Sequence, residues 1–222
     1  MSHSAPLSAP EAIVRRRATR RFDPSRPLPD DLLQRVLQLA THAPSGFNLQ
    51  PWRFLVVRDE RNRRKLRVAA FNQPKITEAP VVVVVLGYHH PHRSHLDAMI
   101  AEQRARGAVT PEQAAEVRAR AFRTMEQVAD PALWATRSAM LAAGTLLIAA
   151  ESLGIASAPM EGFQPEKVKE AFGIPDDHTV CALVALGFAA EEKPFPGRFP
   201  LEDVCYLEHF GQPWPGGIEE TS

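Results

Sequence analysis

Three short segments carry side chains whose types and spacing fit ligand recognition. Arg16, Arg17 and Arg20 crowd together just ahead of Phe22 and Asp23. Planar guanidinium groups pair bidentately with phosphate or carboxylate. A basic cluster at a helix end is equally a solvated terminus favoured by the helix dipole. The second segment is Ala43-Pro44-Ser45-Gly46-Phe47-Asn48-Leu49-Gln50-Pro51-Trp52. A Trp52 filling a core pocket would explain itself and Pro51, but leaves Ser45, Asn48 and Gln50 without a purpose. The third is Ala158-Pro159-Met160-Glu161-Gly162-Phe163. Gly162 permits close backbone approach there, so amide N–H groups could meet a flat ligand; a plain turn is the alternative. A fourth cluster, His89, His90, His92 and His95 around Pro91, has the residue type for a metal site. Pro91 should break any helix that would align those imidazoles, so a solvent-facing loop without metal is expected. Cys181 lies in an apolar run with no flanking cation and Cys205 lies near the tail. Both are expected to be inert thiols. His42 and His178 stand isolated and make no case for catalysis.

The composition narrows what such a chain does. Lys plus Arg is 26 and Asp plus Glu is 26 in 222 residues, a net charge of zero. The basic excess that marks a nucleic-acid binder is missing. Two cysteines are too few for a disulfide scaffold or an all-thiolate zinc site. Met1 to Pro10 shows no basic start leading into an apolar run, so no signal peptide and a cytoplasmic location are expected. The apolar runs Pro80 to Gly87 and Ala139 to Ala150 are shorter than the ~20 residues a bilayer crossing needs.

The elements that must position the segments follow from periodicity. Ala9 to Arg17 reads as a short helix, and Pro29 and Asp30 open an amphipathic one with Leu32, Leu33, Val36, Leu37 and Leu39 on its stripe. Arg53 to Arg58 reads as a half-buried strand, with Asp59 capping a basic helix after it. Five consecutive valines make Pro80 to Gly87 a buried strand. Two charged helices are expected between Ser94 and Asp130, with capping boxes at Ser94/Asp97 and Thr110/Gln113. Leu133 to Leu153 is the longest helix, small and apolar over most of its circumference, and Gly154 should end it. A short helix at Gln164 to Phe172 and a buried strand at Thr179 to Phe188 complete the body. Beyond Ala189 the chain is rich in proline and glycine, and Phe199, Tyr206, Phe210 and Trp214 call for burial. Neither strand leads into Gly-x-Gly-x-x-Gly, and the order is not a regular alternation. The expected class is α+β: a small, mainly antiparallel sheet with helices on both faces.

In this order, the segments resemble the FMN-dependent nitroreductase family. Arg16-Arg17-Ala18-Thr19-Arg20-Arg21-Phe22 resembles its Arg-Arg-Ser-x-Arg-x-Phe element. Ala43 to Trp52 is similar to its Ala-Pro-Ser-x-x-Asn-x-Gln-Pro-Trp signature at every fixed position, and Pro159 to Phe163 to its Pro-x-Glu-Gly-Phe turn. Asn72 with Lys75, and Arg198 in Arg-Phe-Pro-Leu-Glu-Asp-Val, extend the match. It spans residues ~11 to ~205 as one domain, between a flexible tail over 1–10 and a C-terminal arm over 206–222.

The resemblance implies an intertwined homodimer holding FMN at the subunit interface, with NADH or NADPH as co-substrate and a nitroaromatic, quinone or related flat acceptor reduced in a ping-pong cycle. It implies that Arg16 and Arg198 hold the phosphate, assisted by Arg17 and the backbone at Ala18. Arg20 and Lys75 would lie by N1 and O2 of the ring, and Asn72 by its N3 rim. Pro44, Ser45, Gly46 and Asn48, with Ser138, would reach the partner's flavin. Pro159, Met160, Glu161 and Gly162 would line the ring near N5 and O4. No catalytic side chain is required, because the cofactor carries the chemistry. Ala18 departs from the family's serine and removes a hydroxyl contact. The helical region 88–130 is longer than a minimal member needs and covers the substrate side, so a specialised reductive dehalogenase or flavin-fragmenting enzyme of the same fold is one alternative. A flavin-binding protein without turnover is another.

Overall fold

The computed structural model describes residues 5–215. The chain divides into two compact units, residues 1–192 and 193–222. Of the expected tail, residues 1–4 lie outside the described residues, as do residues 216–222 of the arm.

The first unit begins with α1 (Ala9–Arg15), closed by a capping box in which Ser8 and Glu11 satisfy each other's backbone N–H groups. Then come α2 (Asp30–Ala40), β1 (Trp52–Val57), α3 (Glu60–Ala69), α4 (Lys75–Glu78) and β2 (Val81–Tyr88). The middle holds α5 (Pro91–Ser94), α6 (Leu96–Ala105) and α7 (Pro111–Glu126). The unit ends with α8 (Pro131–Ser152), β3 (Ala156–Met160), α9 (Pro165–Phe172) and β4 (His178–Gly187). The four strands form one antiparallel sheet in the order β1-β2-β4-β3. The expected class is the one observed.

Strand alternation divides the core. Val81, Val83 and Val85 pack with Ala182 and Val184 under α2 and α8, while Val82 and Val84 pack with Leu183 and Ala185 on the other face. β2 is therefore covered on both sides, as its valine run predicts. α8 meets the sheet through Ala135, Ala139, Ala142, Ala143 and Leu146, small residues that let a helix approach closely. Gly154, at φ 72°, ends it as expected. Its 22 residues are apolar and long enough, by composition, to cross a membrane. One face of α8 is nonetheless part of this core. Leu133 and Leu141, on its other side, are exposed.

Four local expectations need correction. Ala158 onward is not simply a turn: Ala156–Met160 is an edge strand paired with β4. Proline is tolerated there because an edge strand leaves N–H positions unpaired. Pro91 does not break a helix but occupies the first turn of α5, where its missing N–H is no loss. His92 is consequently buried, not solvent-facing. Ser94 does not cap α6; His95 takes that place, and the Ser94 hydroxyl donates to the Tyr88 hydroxyl at 3.2 Å. The Thr110/Gln113 capping box does form.

The second unit contains α10 (Leu201–Val204) and a bridge between Tyr206 and Pro213. Tyr206 packs on Phe210 at 4.5 Å between ring centroids. The aromatic residues expected to be buried are exposed in the single chain, Phe210 to 91%. So short a segment has too little apolar surface to build a core of its own.

Candidate functional site

Three of the expected segments converge on β3. Ala18 bridges Ser157 in parallel, and the Thr19 N–H donates to the Ser157 carbonyl at 2.9 Å. The Gln164 N–H donates to the Ala69 carbonyl at 2.8 Å, and Gln73 Nε2 donates to the Gly162 carbonyl at 2.7 Å. The turn before α4 is thereby tied to the end of β3. Glu78 of α4 accepts from Arg21 Nε at 2.9 Å and from the Phe22 N–H at 3.2 Å. Arg63 donates to the carbonyls of Thr77 and Ala79 and fixes the end of α4. Residues 16–22, 72–78 and 156–162 thus form one connected surface.

Within it, Arg16 has the most telling environment. Its Nη1 is buried and has no hydrogen-bond partner, an arrangement that costs free energy unless an anion completes it. Arg17 turns the other way. Its Nη1 donates to the carbonyls of Val14, Arg15 and Arg16 at 2.6, 3.0 and 3.1 Å, closing the C-terminus of α1. Arg20 is exposed and Lys75, at the start of α4, is half-buried. Phe71 and Asn72 both take positive φ, 52° and 59°. Arg67 Nε supports them by donating to the Asn72 carbonyl at 3.1 Å. Met160 is buried, Pro159 half-buried, and Glu161 and Gly162 exposed at the strand end. Ser157, which the motif reading missed, is fully buried with an unpartnered hydroxyl. Gln73 was missed too, although its place between Asn72 and Lys75 marks it.

The signature loop is not brought to this surface within one chain. It leads into β1, and β1 and β3 are opposite edges of the sheet, three strand spacings or ~14 Å apart. Gly46 stands against Trp134, whose ring lies 3.5 Å from where a Cβ on the glycine would be. Ser45 Oγ accepts from the Gln50 N–H at 3.0 Å. Pro44 and Asn48 are exposed, and Ser138 is buried on α8. Arg198 lies in the second unit, where it donates to the Gly197 carbonyl and covers the Phe195 ring. Beside the loop, a cavity of about 980 Å³ opens between α2, β1 and α6, with Leu37, Trp52, Arg53 and His95 in its wall.

Other titratable groups sit apart. Burial raises the Cys181 thiol above its usual range. Among the described residues no cluster of three His, Cys, Asp or Glu side chains could hold a metal ion.

The nitroreductase family model matches residues 13–188. A Thermus thermophilus protein named NADH dehydrogenase is 42% identical over 212 residues, covering 89% of this chain and 95% of the relative. The oxygen-insensitive NAD(P)H nitroreductase of Salmonella typhimurium is 28% identical, covering 85% and 94%. A solved structure from Exiguobacterium sibiricum, in complex with FMN, superposes with a TM-score of 0.83 at 24% identity, covering 93% of this chain and all of that one; at that identity the likeness concerns the fold. On the family match and the fold together, the chain belongs to the nitroreductase family of oxidoreductases.

Proposed function

We propose that the chain binds FMN on the β3 surface, takes hydride from NADH or NADPH and delivers it to a nitroaromatic, quinone or related flat acceptor in a ping-pong cycle. The observation that carries this reading is the buried, unpartnered Nη1 of Arg16 on a surface that also presents Asn72, Lys75 and Pro159 to Gly162. A phosphate dianion completes that guanidinium through charge-assisted hydrogen bonds of ~1.5–3 kcal/mol each. FMN, when bound, supplies the hydride chemistry; the chain binds, orients and polarises. Arg16 and Arg198 hold the phosphate, with the backbone at Ala18. Arg17 contributes its charge nearby while its side chain holds α1. Arg20 and Lys75 stand by N1 and O2, where cations favour the negative charge that arrives with reduction. Asn72 meets the N3 rim, and the backbone from Pro159 through Met160 and Glu161 to Gly162 meets N5 and O4.

The same reading makes the protein a homodimer. The loop residues Pro44, Ser45, Gly46 and Asn48 reach the flavin of the other subunit, because in their own chain they lead into the opposite sheet edge, and Ser138 reaches it from α8. Exposed Leu133 and Leu141 on α8, and exposed Ile13 and Val14 on α1, supply apolar surface for the contact. The arm from Tyr206 to Trp214 wraps the partner and buries its rings there. A cytoplasmic location suits two free cysteines.

Anaerobic titration of the purified yellow protein with NADH and then NADPH tests the activity: the flavin absorbance should bleach, and return on adding a quinone. A flavoprotein that neither nucleotide bleaches would be a carrier without turnover. Position around the ring is tested by two substitutions. Lys75→Met should lower the flavin potential and slow reduction more than it weakens binding of oxidised FMN. Arg198→Ala should cost affinity and spare the potential. An untouched potential in Lys75→Met would move that lysine away from the ring.

A further inference from the structure

One histidine of the cluster around Pro91 is joined to the signature loop by a single guanidinium. Arg53, on β1, donates from Nη1 to the carbonyls of Gln50 at 3.2 Å and Trp52 at 2.6 Å. Its Nη2 lies 2.8 Å from Nε2 and 3.1 Å from Nδ1 of His95, the residue that opens α6. From there Leu96, Met99 and Ile100 pack in one apolar cluster with Leu49, Phe47 and Trp134. The loop needs that support. Phe47, Asn48 and Gln50 hold positive φ values of 53°, 54° and 47°, a region that side chains other than glycine occupy only under constraint.

We propose that Arg53 and His95 form a proton-sensitive clasp that positions the 45–50 loop for the cofactor, with His95 as the positioning residue. Its functional consequence rests on the FMN reading above. A neutral imidazole keeps a lone pair on one ring nitrogen, which one depending on the tautomer, to face the Arg53 guanidinium. A protonated one has no lone pair to offer and sets a second cation against the first.

The surroundings offer His95 no compensation. Arg53 faces it from β1 and Tyr88 from β2, with ring centroids 5.6 Å apart. On α6 itself, Asp97 is bound by Arg118 of α7. Glu126 of α7 is bound by Arg93 and His92 of α5. Among the described residues no carboxylate partners His95. Burial first, and then Arg53, hold its pKa below the ordinary histidine value of 6.5. The opened form therefore takes up a proton more readily than the closed one. The clasp is intact above pH ~6.5 and weakens as the pH falls below it. Glu126 behaves oppositely: Arg93 first, and then His92, hold it down to about 2. That tie stays charged through the same window, so the release is confined to the α6 end. The cavity beside β1 gives protons access to both members of the clasp.

Amide hydrogen exchange on the apoprotein reads the loop directly. Corrected for intrinsic rate, exchange over residues 45–50 should rise several-fold in the wild type as the pH falls from ~7.5 to ~5.5. In His95→Gln, whose amide accepts from Arg53 but does not charge, it should stay level. FMN release followed by flavin fluorescence should show the same contrast. The FMN phosphate also titrates near pH ~6, but equally in both proteins, so the difference between them isolates the clasp. Arg53→Met is the second variant: with the tie to the loop gone and only burial still acting on His95, its loop should be looser at both pH values and respond less to the change than the wild type. A wild-type loop indifferent to pH, or a wild-type response retained in His95→Gln, overturns the clasp. Failure of the wild type to bind FMN at pH ~7.5 would overturn the cofactor reading instead, and the exchange experiment would still decide the clasp.

Discussion

Replacing Arg16 with alanine is expected to weaken FMN binding by about 10- to 100-fold, since one or two charge-assisted hydrogen bonds are lost and each 1.4 kcal/mol is a factor of ten. The expectation rests on a cation whose Nη1 is buried and unpartnered, beside a segment anchored to β3 through Ala18 and Thr19. Removing the side chain also removes the cost of that orphaned group, so the apoprotein should hold or gain stability while cofactor affinity falls. Arg17→Ala should do something different. Arg17 closes α1 through three carbonyls, so its loss should loosen the helix and lower the melting temperature, with a smaller effect on FMN. Flavin-fluorescence titration and thermal melts of the two apoproteins separate these outcomes. An unchanged dissociation constant for Arg16→Ala would remove that residue from the phosphate site.

The second large effect is structural. Gly187→Ala should destabilise the fold by ~1–3 kcal/mol, the usual range for overpacking a dense core. A Cβ at that position would stand 2.6 Å from Cδ of Pro80 and 3.1 Å from the Phe22 ring. The proline ring is tied to the backbone and Phe22 is buried, so neither gives way cheaply. The disturbance should also reach the site, because Phe22 ends the arginine segment and its N–H is held by Glu78. Urea unfolding checks the first part, and FMN affinity of the folded fraction checks the second. A midpoint equal to that of the wild type would show that Pro80 and Phe22 have room to move.

The body of the fold was legible because its elements announce themselves by period and branching. The valines of β2, the stripe of α2 and the small face of α8 all lie where the pattern put them. What escaped had the wrong local signal. β3 is five residues of alanine, serine, proline and methionine, without β-branching, and only its pairing with β4 makes it a strand. The histidine segment reads as a loop if Pro91 is a helix breaker, whereas proline at the start of a helix initiates one. For the site, residues alone leave clamp and solvated end, or ligand loop and plain turn, undecided; only the ordered resemblance favours the ligand readings. No local pattern could show that the two halves of the expected site stand on opposite edges of the sheet. The tie between Arg53 and His95 was equally hidden, since it joins residues 42 positions apart.

The central claim is that this chain is built around FMN. The most direct test is to release the chromophore from the purified protein by denaturation and identify it by mass and chromatography, after reconstitution with each flavin if the protein is colourless. FMN is expected in a ratio approaching one per chain, with FAD rejected because an anion clamp at Arg16 and no dinucleotide fingerprint leave nothing to hold an adenylate. Bound FAD, or a folded protein that FMN does not reconstitute, would contradict it.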